Sequence, residues 1–130
     1  MKNIIILGAT GSIGDSVLSV IKQNKNELNL TGITFCSNIT KAEKIINEFK
    51  LKNVYSDSIE SYKCLKHRFK DNTELNILSD KYELQEFLNS DAVDIIVSAV
   101  SGFAGLESTL IAAKTGKTIL LANKESLVVA

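Results

Sequence analysis

Residues 4–14 read Ile4-Ile-Ile-Leu-Gly-Ala-Thr-Gly-Ser-Ile-Gly14. Ile4 to Leu7 is an unbroken apolar run, as expected of a strand buried on both faces. Gly8, Gly11 and Gly14 follow at three-residue spacing, and Val17, Leu18, Val20 and Ile21 then recur at helical spacing. The pattern predicts a strand, a tight glycine turn and a helix, the opening of a nucleotide-binding βαβ unit. Each glycine has a separate task there. Gly8 turns the chain out of the strand, Gly11 leaves the backbone open to a pyrophosphate, and Gly14 lets the helix lie close on the strand. The start of the helix offers N–H groups and a partial positive charge to phosphate oxygens, and Thr10 and Ser12 add hydroxyls.

The rest of the chain repeats the alternation. Strands are expected at 29–36, 53–56, 75–78, 93–100 and 118–122. Helices are expected between them: one opened by Thr40 with Glu43 as a capping box, a weaker one over 59–69, one opened by Asp80 with Glu83, and one over 105–115 ended by Gly116. The chain has no proline, and no internal repeat or low-complexity segment is visible. Six strands alternating with helices through short loops predict an α/β fold. The expected form is a Rossmann-like, doubly wound parallel sheet with helices on both faces. Ligands in such sheets lie beyond the carboxyl ends of the strands, so the turns at 8–14, 37–40, 99–105 and 123–126 are the ones to watch.

Composition narrows the function. The 130 residues suffice for one domain with a real core, and 45% hydrophobic with 23% charged residues is ordinary for a globular protein. The formal net charge of zero gives no argument for nucleic acid or an anionic membrane. The apolar runs are too short to span a bilayer, and the first leads into glycines, unlike a signal peptide. Cys36 and Cys64 share no metal or redox spacing, so a reduced, cytoplasmic setting is expected, with each thiol a small buried or half-buried apolar group. No cluster of Asp, Glu, His or Cys has metal-ligand spacing. Ser126 to Ala130 reads as the start of a further apolar element, as expected of one domain of a longer protein.

The end of the second strand discriminates between nicotinamide cofactors. An NAD site usually places Asp or Glu there to hold the ribose 2′-hydroxyl. This chain has Cys36, Ser37 and Asn38, with Thr40 and Lys41 close behind, so donors replace the carboxylate and NADP is favoured. Lys124 is expected in the first turn of a helix capped by Asn123, where the dipole disfavours a cation. A lysine kept there suggests an anionic substrate or a developing oxyanion. Tyr62 and Lys66 match the Tyr-x-x-x-Lys pair of short-chain dehydrogenases, but on a middle helix in a lysine-rich segment. They read as surface residues, as does His67.

Three segments together, Gly8 to Gly14, Gly102-Phe-Ala-Gly105 and Gly116-Lys-Thr-Ile-Leu-Leu-Ala-Asn-Lys-Glu-Ser-Leu127, closely resemble the 1-deoxy-D-xylulose 5-phosphate reductoisomerase family. The resemblance holds in order and spacing from Met1 to Ala130. It implies the N-terminal NADPH-binding domain of a homodimeric enzyme about three times this length. Such an enzyme rearranges a sugar phosphate, then reduces the resulting aldehyde with NADPH and Mg or Mn. The product is 2-C-methyl-D-erythritol 4-phosphate of the non-mevalonate isoprenoid pathway. By the same resemblance Thr10, Gly11, Ser12 and Ile13 contact the pyrophosphate and nicotinamide side, and Ser37 and Asn38 the 2′-phosphate. Ala99, Val100 and Ser101 line the cofactor, Asn123 and Glu125 lie near the nicotinamide, and Lys124 touches both substrate and cofactor. Many family members have Gly-Lys-Asn where this chain has Cys36-Ser37-Asn38, so a cation is missing, for which Lys41 is a candidate. The metal ligands and catalytic loop are expected after Ala130, which leaves the present residues able to bind cofactor without turnover. A different oxidoreductase such as an aspartate-semialdehyde dehydrogenase shares the Gly-Ala-Thr-Gly opening. It needs a later cysteine nucleophile, and neither cysteine here sits at a suitable strand end. A non-enzymatic nucleotide-sensing domain is the third reading, and the apolar terminus argues against it.

Overall fold

The computed structural model describes residues 1–100 and 111–122 and the backbone of 127–129. Strand β1 (Lys2–Leu7) is followed by α1 (Ser12–Gln23), β2 (Leu28–Phe35), α2 (Ile39–Phe49), β3 (Asn53–Ser56), α3 (Ile59–Arg68), β4 (Asn76–Leu78), α4 (Lys81–Leu88), β5 (Ile95–Ser98), β6 (Thr118–Ala122) and β7 (Leu127–Val129). The sheet order is β4-β3-β2-β1-β5-β6-β7. All pairings are parallel except β6 with β7. The chain winds outward from β1 to β4, then returns to the far side of β1 as β5. The switch point therefore lies between β1 and β5.

Central burial explains the apolar runs. Ile4 and Ile6 pack into one core with Leu18 and Ile21 of α1 and Ala42, Ile45 and Ile46 of α2. Ile5 and Leu7 face the opposite way, into a second core with Leu84 and Leu88 of α4 and Ala112. Strand alternation thus feeds two faces, and helices cover both, as the sequence predicts. Gly32 of β2 permits α4 to lie close, since a Cβ there would be 2.4 Å from Phe87 Cζ. Residues 111–113 are helical, and Gly116 ends that segment at φ 74°.

Three expectations need correction. Of the two candidate caps of α2, Asn38 and Thr40, the cap is Asn38, whose Oδ1 accepts from Lys41 N at 3.2 Å, two residues before the Thr40 of the expected capping box. Cys36 is exposed because β2 ends at Phe35 and the chain leaves the sheet there, whereas Cys64 is half-buried as expected. The expected helix after Asn123 does not run through 127–129, where Leu127–Val129 instead pairs antiparallel with β6. Leu-Val-Val is short and β-branched, and pairing satisfies the backbone of the β6 edge, which a helix would leave open. Lys124 itself, with Asn123 and Glu125, lies outside the described residues. No helix among the described residues is long and apolar enough to cross a membrane.

Candidate functional site

The site is built at the carboxyl edge of β1. Ala99 N donates to Leu7 O at 2.8 Å, and Gly8 N and Ala9 N both donate to Thr34 O, at 3.1 and 3.0 Å. These bonds bring the ends of β2, β1 and β5 side by side. Gly8 has φ 74°, and a Cβ there would sit 2.2 Å from Val100 Cγ1, so glycine closes the crevice between the first turn and the end of β5. Gly14 carries the next constraint, since its Cβ would lie 2.1 Å from Ala9 O. Only glycine lets α1 press on the turn.

Gly11 is different. It is the N-cap of α1 with φ −86°, which any residue can adopt, and a Cβ would meet nothing within 4 Å. The space over it is open. No side chain caps α1. Side chains do cap α2, α3 and α4: Asn38 for α2, Ser58 Oγ accepting from Ser61 N at 3.3 Å for α3, and Asp80 Oδ1 accepting from Tyr82 N at 3.0 Å for α4. The donors of the α1 first turn are thus left for an anion, with the helix dipole behind them.

Ser37 and Asn38 are exposed immediately beyond β2. The Asn38 carbonyl oxygen is taken by the cap, which orients its amide nitrogen as a remaining donor. Val100 is half-buried, while the Ala99 side chain is buried, so the backbone of Ala99 is what it presents to the edge. Thr10, Gly11, Ser12, Ile13, Ser37, Asn38, Ala99 and Val100 are therefore brought to one edge of the sheet. Ser101, Asn123, Lys124 and Glu125 fall outside the described residues, as does the whole stretch 102–110.

Thr34 is a contributor that the sequence reading missed. It is buried, and its Oγ1 accepts from Gly8 N at 2.9 Å in addition to the backbone bond. A threonine inside the apolar end of β2 was the available signal. Lys41 is held by Asp15 of α1, with its ammonium 2.7 Å from each carboxylate oxygen. Lys66 lies 5.7 Å over the Tyr62 ring within α3, and His67 is exposed, in keeping with a surface role. No group of three or more His, Cys, Asp or Glu among the described residues could hold a metal ion.

Comparison with known proteins identifies the relatives. The family model described as 1-deoxy-D-xylulose 5-phosphate reductoisomerase matches residues 4–130. The reductoisomerase of Psychromonas ingrahamii is 43% identical over 129 residues, covering 98% of this chain and 32% of its own length. That of Clostridium botulinum is 42% identical, covering 100% of this chain and 34% of its own. A crystal structure of a DOX-P reductoisomerase with NADPH, fosmidomycin and magnesium superposes with a TM-score of 0.84. It has 42% identity and covers 97% of this chain and 31% of that one. The Zymomonas mobilis enzyme in complex with NADPH gives 0.80 at 30% identity, over 96% of this chain and 32% of that one. The chain spans about a third of the length of the relatives it matches. With nearly every residue matched by one family model and the same fold in its solved members, the chain belongs to the 1-deoxy-D-xylulose 5-phosphate reductoisomerase family.

Proposed function

We propose that this chain is the NADPH-binding part of an enzyme that converts 1-deoxy-D-xylulose 5-phosphate to 2-C-methyl-D-erythritol 4-phosphate in non-mevalonate isoprenoid synthesis. The observation that carries the reading is the uncapped start of α1 under the open face of Gly11, beside the exposed donors of Ser37 and Asn38. NADPH supplies the hydride that reduces the rearranged aldehyde. The chain's own part is binding and orientation. Thr10, Gly11, Ser12 and Ile13 offer backbone and hydroxyl donors to the pyrophosphate. Ser37 and Asn38 offer neutral donors where an acid would repel a 2′-phosphate. Gly8 against Val100 leaves a shallow floor at the switch point for a flat ring. Asn123, Lys124 and Glu125 follow β6, which runs parallel to β5 and ends at Ala122. By resemblance, Asn123 and Glu125 serve the nicotinamide side and Lys124 both substrate and cofactor.

The described residues offer no fit for Mg or Mn, and the reading places the metal ligands beyond Ala130. The whole enzyme is read as a cytoplasmic homodimer acting on a sugar phosphate, with no nucleic-acid or membrane partner. Titration of the 130-residue chain with NADPH and NADH, followed by nicotinamide fluorescence, tests the reading. Tighter binding of NADPH without turnover of the sugar phosphate is expected. Equal affinity for the two nucleotides would overturn the role of Ser37 and Asn38, and turnover would overturn the placement of the catalytic residues.

A further inference from the structure

A groove of ≈ 480 Å³ runs between α1 and α2 and reaches Asn38. Asp15 and Lys22 of α1 line it with Lys41, Lys44 and Glu48 of α2. Lys22 pairs with Glu48, and Lys41 pairs with Asp15. Lys44 has no ion-pair partner among the described residues, so the groove is cationic on balance. Its Asn38 end lies beside the turn 36–38, which contains no cation. A dianionic 2′-phosphate recognised only by the hydroxyl of Ser37 and the amide of Asn38 would be poorly neutralised.

Resting on the proposed docking of NADPH over the glycine turn, we infer that Lys41 is the residue that selects the 2′-phosphate in this chain, and that Asp15 holds its ammonium until the phosphate arrives. Two bonds fix Lys41 in place. Its N–H donates to Asn38 Oδ1 at 3.2 Å, which ties it to the turn that follows β2. Its ammonium contacts both oxygens of Asp15 at 2.7 Å, which ties it to the first helical turns after Gly11. The cation is therefore anchored between the two segments that flank the adenosine half of a dinucleotide. The lysine and Asp15 side chains are 28% and 55% exposed, so the pair is wet and contributes little stability. A phosphate carrying two charges and several acceptor oxygens can displace one carboxylate from it. Asp15 then acts as a competitor that sets how strongly the extra phosphate is preferred.

The test compares the parent chain, Lys41→Gln, Lys41→Arg and Asp15→Asn, each titrated with NADPH and NADH at low and at high salt. Lys41→Gln should weaken NADPH roughly tenfold and leave NADH within about twofold, because one charge-assisted contact is lost from the phosphate alone. Lys41→Arg should keep the preference, and Asp15→Asn should raise the ratio of NADPH to NADH affinity. High salt should weaken NADPH more in the parent than in Lys41→Gln. A Lys41→Gln chain that binds both nucleotides as the parent does would overturn the inference. Equal weakening of both would also overturn it, and would make Lys41 a screen that hides the charge of Asp15 from the pyrophosphate. A parent that favours NADPH while Lys41→Gln keeps that ratio refutes this inference alone. A parent that binds neither nucleotide removes the docking reading as well.

Discussion

Substituting Gly14 by alanine isolates the mechanical role of the glycine turn. The added Cβ would stand 2.1 Å from Ala9 O, 2.6 Å from Ala9 C and 3.0 Å from Ala9 Cα. The first of these is about 1.3 Å inside the 3.4 Å at which ordinary contact begins. The obstacle is backbone, and Ala9 is pinned by its N–H to Thr34 O at 3.0 Å, so no flexible side chain can move aside. Relief requires α1 to lift from β1, which loosens Leu18 and Ile21 from the core. Overpacking of this kind costs about 3 kcal/mol at its upper range. Alanine returns about 1 kcal/mol through helix propensity, leaving a net loss of ~2 kcal/mol. Urea denaturation read by far-ultraviolet circular dichroism should show the midpoint falling by about 1 M with little change in slope. A Gly14→Ala chain as stable as the parent would refute the reasoning, because it would mean that the helix does not rest on the turn.

Gly11→Ser is the complementary change: its Cβ meets nothing within 4 Å and serine is a good N-cap, so stability should hold or rise by a few tenths of a kcal/mol. Nucleotide affinity should nevertheless fall steeply, since the new hydroxyl takes the donors and fills the open face; undiminished NADPH titration would count against the phosphate site. Lys117 donates to Ser90 O, and to Val93 O at 2.7 Å, from the start of β6. Lys117→Met should cost about 1–2 kcal/mol in urea melts by leaving both carbonyls without that donor, and an unshifted midpoint would show that water replaces it. Cys36 is exposed and Cys64 half-buried, so iodoacetamide with peptide mass mapping should label Cys36 first; the reverse order would contradict the placement of the end of β2.

Much of the fold was legible because β1 declares itself. A short run of three isoleucines and a leucine ending in glycine reads as a strand with no solvent face, and Ile4, Ile5, Ile6 and Leu7 do divide between two cores. Gly8, Gly11 and Gly14 were separable in advance because each glycine answers a different steric demand. Strand order was not legible, because alternation gives the elements in sequence and not which of them pair. The irregularity between Ile4 and Ile5 opposite β2 left no mark in the periodicity. Thr34 escaped notice because its partner, Gly8 N, is distant in sequence. The choice of Asn38 over Thr40 as cap escaped because both types cap well, and backbone geometry decides between them. The pattern after Asn123 reads as a helix, whereas Leu127–Val129 is a strand, because local pattern does not reveal an open sheet edge waiting beside it. Of the candidate site, the glycine turn between β1 and α1 was legible from its spacing taken together with the apolar run before it and the helical pattern after it. The partner of Lys41 was not, since an ion pair between α1 and α2 depends on how the helices lie together.

The position of β1 at the switch point also sets a clock. Its first neighbour, β2, is synthesised soon after it, but the other side waits for β5, and Asn3 bonds Asp94 across a separation of 91 residues. At roughly 5–20 residues per second on the ribosome, that interval lasts about 5–18 s. During it the nascent half-sheet can assemble around α1 and α2 while one edge of its most apolar strand stays unpaired. Partners arriving in that window meet an exposed template for strand addition. The strand that organises the finished sheet is thus the one most in need of protection while the chain is still being made.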